Sequence, residues 1–198
     1  GYYQSGLPGK TYGMPVSGAF ANVNDGASFQ FQSYSANNAL VISSETAIST
    51  GTLTLVSPAT YSRIAIIANS ANGDATGTAT LTLTFSDNST FVTNYYAPNW
   101  FNENSGSLFD IALKSVERIN LTSGTTSGMT SASTNNPRFY ETTLDLTAVP
   151  GASTKPLASI SFGKATGTSS GQATATGIYA VSGAPASPVN LATLTNLP

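Results

Sequence analysis

Aromatic side chains crowd one short stretch of this sequence, where Tyr95, Tyr96, Trp100 and Phe101 fall within seven residues and are interleaved with Asn94, Asn99, Asn102 and Glu103. Flat apolar rings flanked by amides and a carboxylate can grip a sugar, stacking on its C–H face while hydrogen-bonding its hydroxyls. Aromatics each bury ~150–250 Å² and dominate cores and interfaces as well, so the same residues could instead close one end of a β-core or form an interface. Tyr95, Tyr96, Asn99, Trp100, Phe101, Asn102 and Glu103 are therefore the candidate ligand-binding residues, with core closure or an interface as the competing use.

Other chemistry has little to draw on. The 198 residues contain no histidine and no cysteine, and only 8% are charged. Imidazole bases, thiol nucleophiles and disulfides are thereby excluded, and no Gly-x-Ser-x-Gly elbow or phosphate-cradling glycine loop occurs. Glu45, Glu103, Glu117 and Glu141 could pair as glycosidases require, with carboxyls ~5–9 Å apart, but nothing in their spacing indicates such pairing. Arg63, Arg118 and Arg138 sit in or beside strand-like runs, where ion pairs with Glu117 or Glu141 are the expected use. Asp25, Asp74 and Asp87 are the oxygen donors on which a structural calcium ion would draw. Each also lies in an Asn/Gly turn, where Asp bonds its own backbone, and no calcium-loop spacing is present. The expectation is a protein without enzymatic activity and without a cofactor.

Seven basic against nine acidic side chains leave no basic patch for phosphates, so nucleic acid is not an expected partner. No apolar run reaches the ~18 residues of a membrane helix. The charge deficit is filled with Thr, Ser, Asn, Ala and Gly, a hydroxyl- and amide-rich surface suited to an extracellular or cell-surface setting.

Period-two alternation dominates the chain. Residues 80–85, 28–32 and 51–55 alternate apolar with Thr, Gln or Ser, the pattern of half-buried antiparallel strands. Residues 64–68, three isoleucines and two alanines, read as a more fully buried strand. The turns around Gly73 and Asn88 then make residues 61–96 a three-stranded meander. Further strands are expected at 39–42, 116–121, 139–146, 157–162 and 174–181, with 122–136 as a loop. Helical spacing is nearly absent; its best candidate is residues 107–114, through Leu108, Ile111 and Ala112, which one short turn would also satisfy. About ten short strands separated by Gly, Pro, Asn and Asp predict an all-β, antiparallel two-sheet sandwich or jelly roll. Residues 1–183 form one domain whose first twenty residues are an arm rich in Tyr and Gly, packing on its own sheet or on a neighbour. Residues 184–198, with Pro185, Pro188 and Pro198, form a tail.

The run from Tyr61 to Gly73, the alternating 80–90 segment with its Ser86-Asp87-Asn88 turn, and Ala97-Pro98-Asn99-Trp100-Phe101 resemble secreted bacterial β-sandwich domains of galactose-binding-like type. Such domains occur in exported multi-domain proteins, some with a C-terminal sorting signal. Weaker similarity extends to residues 138–141, 155–162 and 178–183. The resemblance implies a jelly roll and export. It carries over no ligand, because members differ in whether they bind glycans.

Two functions follow as expectations. One is a non-catalytic module binding polysaccharide or a cell-surface glycan through residues 95–103. The other is a structural subunit of a surface filament or matrix, joined to copies of itself through its termini, with residues 189–194 adding to a sheet edge.

Overall fold

The computed structural model describes residues 1–6, 8, 12–46, 48–102, 105–114, 116–127, 137–167 and 174–186. These form thirteen strands and no α-helix, in two principal antiparallel sheets. One sheet has five strands: β3 (Leu40–Ser43), β13 (Ala175–Pro185), β5 (Tyr61–Ala71), β11 (Phe139–Asp145) and β8 (Asp110–Leu113), in that order. The other has four: β4 (Thr50–Ala59), β12 (Leu157–Gly163), β6 (Thr78–Phe85) and β7 (Thr90–Tyr96). The remaining strands pair locally, β1 (Ala19–Ala21) with β2 (Ser28–Gln30), and β9 (Arg118–Ile119) with β10 (Thr126–Ser127).

A single idea generates the topology. The chain runs out along β3, β4, β5 and β6 and returns along β7, β11, β12 and β13. Every outward strand pairs with its returning counterpart: β6 with β7, β5 with β11, β4 with β12, β3 with β13. One long antiparallel ribbon, wrapped so that successive pairs fall in alternate sheets, is a jelly roll.

Three local expectations are corrected. Residues 61–96 are not a meander, because β5 lies in the five-stranded sheet and only β6 and β7 form a hairpin. The reason is the composition of β5. Ile64, Ile66 and Ala68 face the core between the sheets, whereas Ala65 and Ile67 face a second cluster with Met14, Phe29, Phe31, Val116 and Phe139. A strand covered on both faces belongs at the centre of a sheet, and its run is continuous rather than alternating. Residues 107–114 are not helical; Asp110–Leu113 pairs as an edge strand on β11. Thr126–Ser127 is a strand within the expected loop, while residues 128–136 lie outside the described residues.

The second cluster needs a lid, and the N-terminal arm supplies it. Gly1 exchanges backbone bonds with Ile119, and Tyr2 bridges Arg118. The Tyr2 ring lies 4.7 Å from that of Phe139, itself fully buried. The arm therefore packs on its own domain.

Candidate functional site: an aromatic end loop and an open strand groove

β7 delivers the predicted aromatic segment to one end of the sandwich. Tyr95 points inward and is fully buried, its ring edge-on to Phe162 at 5.4 Å and its hydroxyl donating to the Gly163 carbonyl at 2.6 Å. Burial pushes its pKa well up. This side chain is core and has no face for a ligand. Tyr96 is half-buried, its ring 6.1 Å from Phe109 and its backbone N–H donating to Thr142 Oγ1.

Residues 97–102 are tied to the turn after β5. Ser70 N–H donates to Pro98 O and Trp100 N–H to Ser70 O, both at 2.9 Å, while Ala97 N–H donates to Gly77 O at 2.8 Å. Gly77 has φ +55°, and a Cβ there would sit 1.9 Å from Ala97 O, so this approach requires glycine. The Asn99 amide donates to Gly73 O, and that of Asn102 to Ala75 O. Tyr140, buried in β11, donates its hydroxyl toward the carbonyls of Asn99 and Asn102 at 2.9 and 2.5 Å. The amides read as candidate sugar ligands thus hold backbone carbonyls.

Trp100 is half-buried and covered from three directions. Tyr2 meets it edge-on at 5.8 Å, Phe101 lies at 5.4 Å, and the Arg118 guanidinium stands 5.5 Å from its centroid and 4.8 Å from that of Phe101. Behind Tyr2 the packing continues through Phe139 and Tyr179. Asn69 ties these rings together: its amide donates to the Tyr2 hydroxyl and to Arg138 O, and its Oδ1 accepts from the Tyr179 hydroxyl. Burial is the main reason that the Tyr2 phenol is raised well above its usual range. Glu103 lies outside the described residues.

Glu117 and Glu141 have different partners. Glu117 accepts from the Tyr3 hydroxyl at 2.5 Å; burial, then this bond, push the Tyr3 phenol up to about 12. Glu141 is buried, accepting from Asn22 Nδ2 at 2.7 Å and Thr143 Oγ1 at 2.9 Å. Its pKa is raised, first by burial and further by neighbouring Asp25. Asp110 accepts from Asn22 and Asn24, and Asp25 pairs with Arg63 at 3.1 Å. Sequence reading missed this network because its members lie up to 119 positions apart. Asp74 and Asp87 bond the backbone of their own turns, Asp87 also pairing with Lys155 at 2.8 Å. Among the described residues, no three acidic side chains are grouped to hold a metal ion.

A second feature was not expected. Among the described residues, β3 pairs with β13 only from Ala175 to Ile178, a bulge follows at Tyr179, and β13 continues to Pro185 paired on β5 alone. Along that uncovered edge lies a groove of about 650 Å³. Its floor is the opened core, Ile64, Leu157, Ile160 and Ile178; Leu53 and Leu55 of β4 form one wall, and Gln30, Gln32, Asn37 and Asn38 lie on its margin. Gly183 lets the Tyr61 ring cross the strand at its lower end, since a Cβ there would sit 2.4 Å from Tyr61 Cε1. Unequal partner strands are the cause: β3 has four residues and β13 eleven. The sequence matches no protein-family model and no curated protein.

Proposed function

We propose that this chain is a non-catalytic structural subunit of an extracellular surface filament or matrix, joined to its neighbours by strand addition. The observation that carries this reading is the groove beside β13, where a strand edge that no described residue pairs runs over an opened apolar core. A strand laid there would gain backbone bonds from β13 and bury apolar side chains in one step. Exposed long edges are normally blunted by charge, yet among the described residues no charged side chain lines this one. The Thr/Ser/Asn-rich, charge-poor composition and the resemblance to exported β-sandwich domains support the extracellular setting.

Sedimentation velocity and electron microscopy across a concentration series test the proposal. Concentration-dependent assembly is expected, abolished by Leu53→Lys, which places a charge on the groove wall, and retained in Val56→Lys, at a fully exposed position outside the groove. A strictly monomeric protein at all concentrations would refute it.

Glycan binding remains a second reading, favoured by the four amides and the Tyr61 ring that line the groove. The partner would be a polysaccharide or cell-surface glycan. Binding on a glycan array that is lost in Gln32→Ala and Asn38→Ala supports this reading, and an array without signal removes it.

A further inference from the structure

The groove fits one segment of this sequence. We propose that it accepts residues 189–194 of a second copy, lying antiparallel to β13 in line with β3; this rests on the assembly reading above. Three observations converge. First, length: the stretch of β13 that lines the groove past its last β3 pair, Tyr179 to Gly183, has five residues and the segment 189–194 has six, ~17–20 Å of strand at ~3.3 Å per residue. Second, charge: among the described residues no acidic or basic side chain lines the groove, and the chain carries none after Lys164. Third, pattern: Val189, Leu191 and Thr193 alternate with Asn190, Ala192 and Leu194. A strand bearing them would set Val189 and Leu191 over the apolar floor and turn the Asn190 amide toward the margin of glutamines and asparagines.

The geometry at the end of β13 points to another copy rather than the same chain. Ala186 N–H still donates to Thr60 O at 3.2 Å, so the chain follows β5 up to residue 186. A tight reversal would turn at Ser187-Pro188. Two-residue hairpin turns require positive φ at the first central residue, which serine disfavours, or at both, which proline cannot adopt. That hairpin would also place Val189 opposite Ala186 and Leu194 opposite Val181, leaving half of the apolar run beyond Gly183. A donor from a second copy has no such register constraint. Because each copy would offer both a segment and a groove, the contact is heterologous and propagates unless it closes into a ring.

The absence of native cysteine gives a clean test on the full chain. Leu191→Cys protein is mixed with Val181→Cys or Ser182→Cys protein and oxidised; Val56→Cys is the control partner. A mixed disulfide between position 191 and a groove position is expected, at least tenfold above the control and increasing with concentration. Two results overturn the proposal: mixed disulfide no higher than the control, or cross-linking confined to a single chain carrying both Leu191→Cys and Val181→Cys and independent of concentration. Wild-type sedimentation separates the failures. Assembly sensitive to Leu53→Lys but without a position-191 cross-link leaves strand addition standing and removes this donor; absence of assembly removes both.

Discussion

Trp100→Ala distinguishes a packing residue from a sugar platform, and the structure gives the size of the effect. The indole has an edge-on contact with Tyr2, a tilted contact with Phe101 and the Arg118 guanidinium over its ring. Aromatic pairs contribute ~0.5–1.5 kcal/mol each beyond area burial, and an exposed cation–π contact ~0.5–1. Together these come to about 3 kcal/mol, at the lower end of the ~3–5 kcal/mol for a fully buried tryptophan, as half-burial requires. For a domain of this size that lowers Tm by about 6–12 °C. Urea unfolding followed by far-UV circular dichroism should show a lower midpoint at unchanged slope. The partner variant Tyr2→Ala keeps the only tryptophan as a fluorescent reporter of the arm, and the cycle between them should give a coupling of about 1 kcal/mol. Stability within about 0.5 kcal/mol of wild type for Trp100→Ala would refute this reasoning, because surface residues behave that way.

Glu141→Gln should leave the protein at least as stable at neutral pH. Burial raises the folded-state pKa of Glu141, so its favourable contribution is complete below the unfolded value near 4.5 and is lost as pH rises through the folded pKa. Wild type should therefore lose stability relative to the variant as pH increases above 4.5, read from urea midpoints at a series of pH values; a constant difference would contradict the assignment. Gly77→Ala forces a Cβ to within 1.9 Å of Ala97 O in a left-handed conformation, so Tm should fall by more than for Trp100→Ala, and an unchanged Tm would disprove the close approach.

The elements were legible wherever one face of a strand is wet. β6 and β2 alternate in sequence because Leu81 and Leu83, or Phe29, face a core while their neighbours face out. β5 was legible as a strand but not in its sheet, since a run apolar on both faces does not tell which strand it neighbours. β8 was misread because Ile111 and Ala112 also fit helical spacing, and only pairing with β11 decides. In the aromatic loop the residue types were informative and their roles were not. Tyr95 and Tyr96 are adjacent, and alternation on a strand sends one inward and leaves the other half-covered. What covers Trp100 is Tyr2 and Arg118, 98 positions before and 18 after it, distances that no local pattern spans.

The groove, too, has a cause in the chain's economy of coverage. Both faces of the five-stranded sheet carry apolar side chains, and the outer one is closed by the arm, by β1 and β2, and by Val116. Tyr179, the extra residue at the bulge, serves that closure: its hydroxyl bonds Asn69, and its ring packs edge-on to Phe139 at 4.8 Å. Releasing Tyr179 from the ladder diverts β13 where β3 begins, so closing the outer face leaves, among the described residues, the edge between the sheets uncovered. Closure and opening are then coupled through one residue. Tyr179→Ala should weaken the arm contact and alter the groove together, whereas Leu53→Lys should alter the groove alone. A Trp100 fluorescence signal that shifts in the first variant and stays constant in the second would separate the two surfaces, and an equal response in both would show that the bulge does not link them.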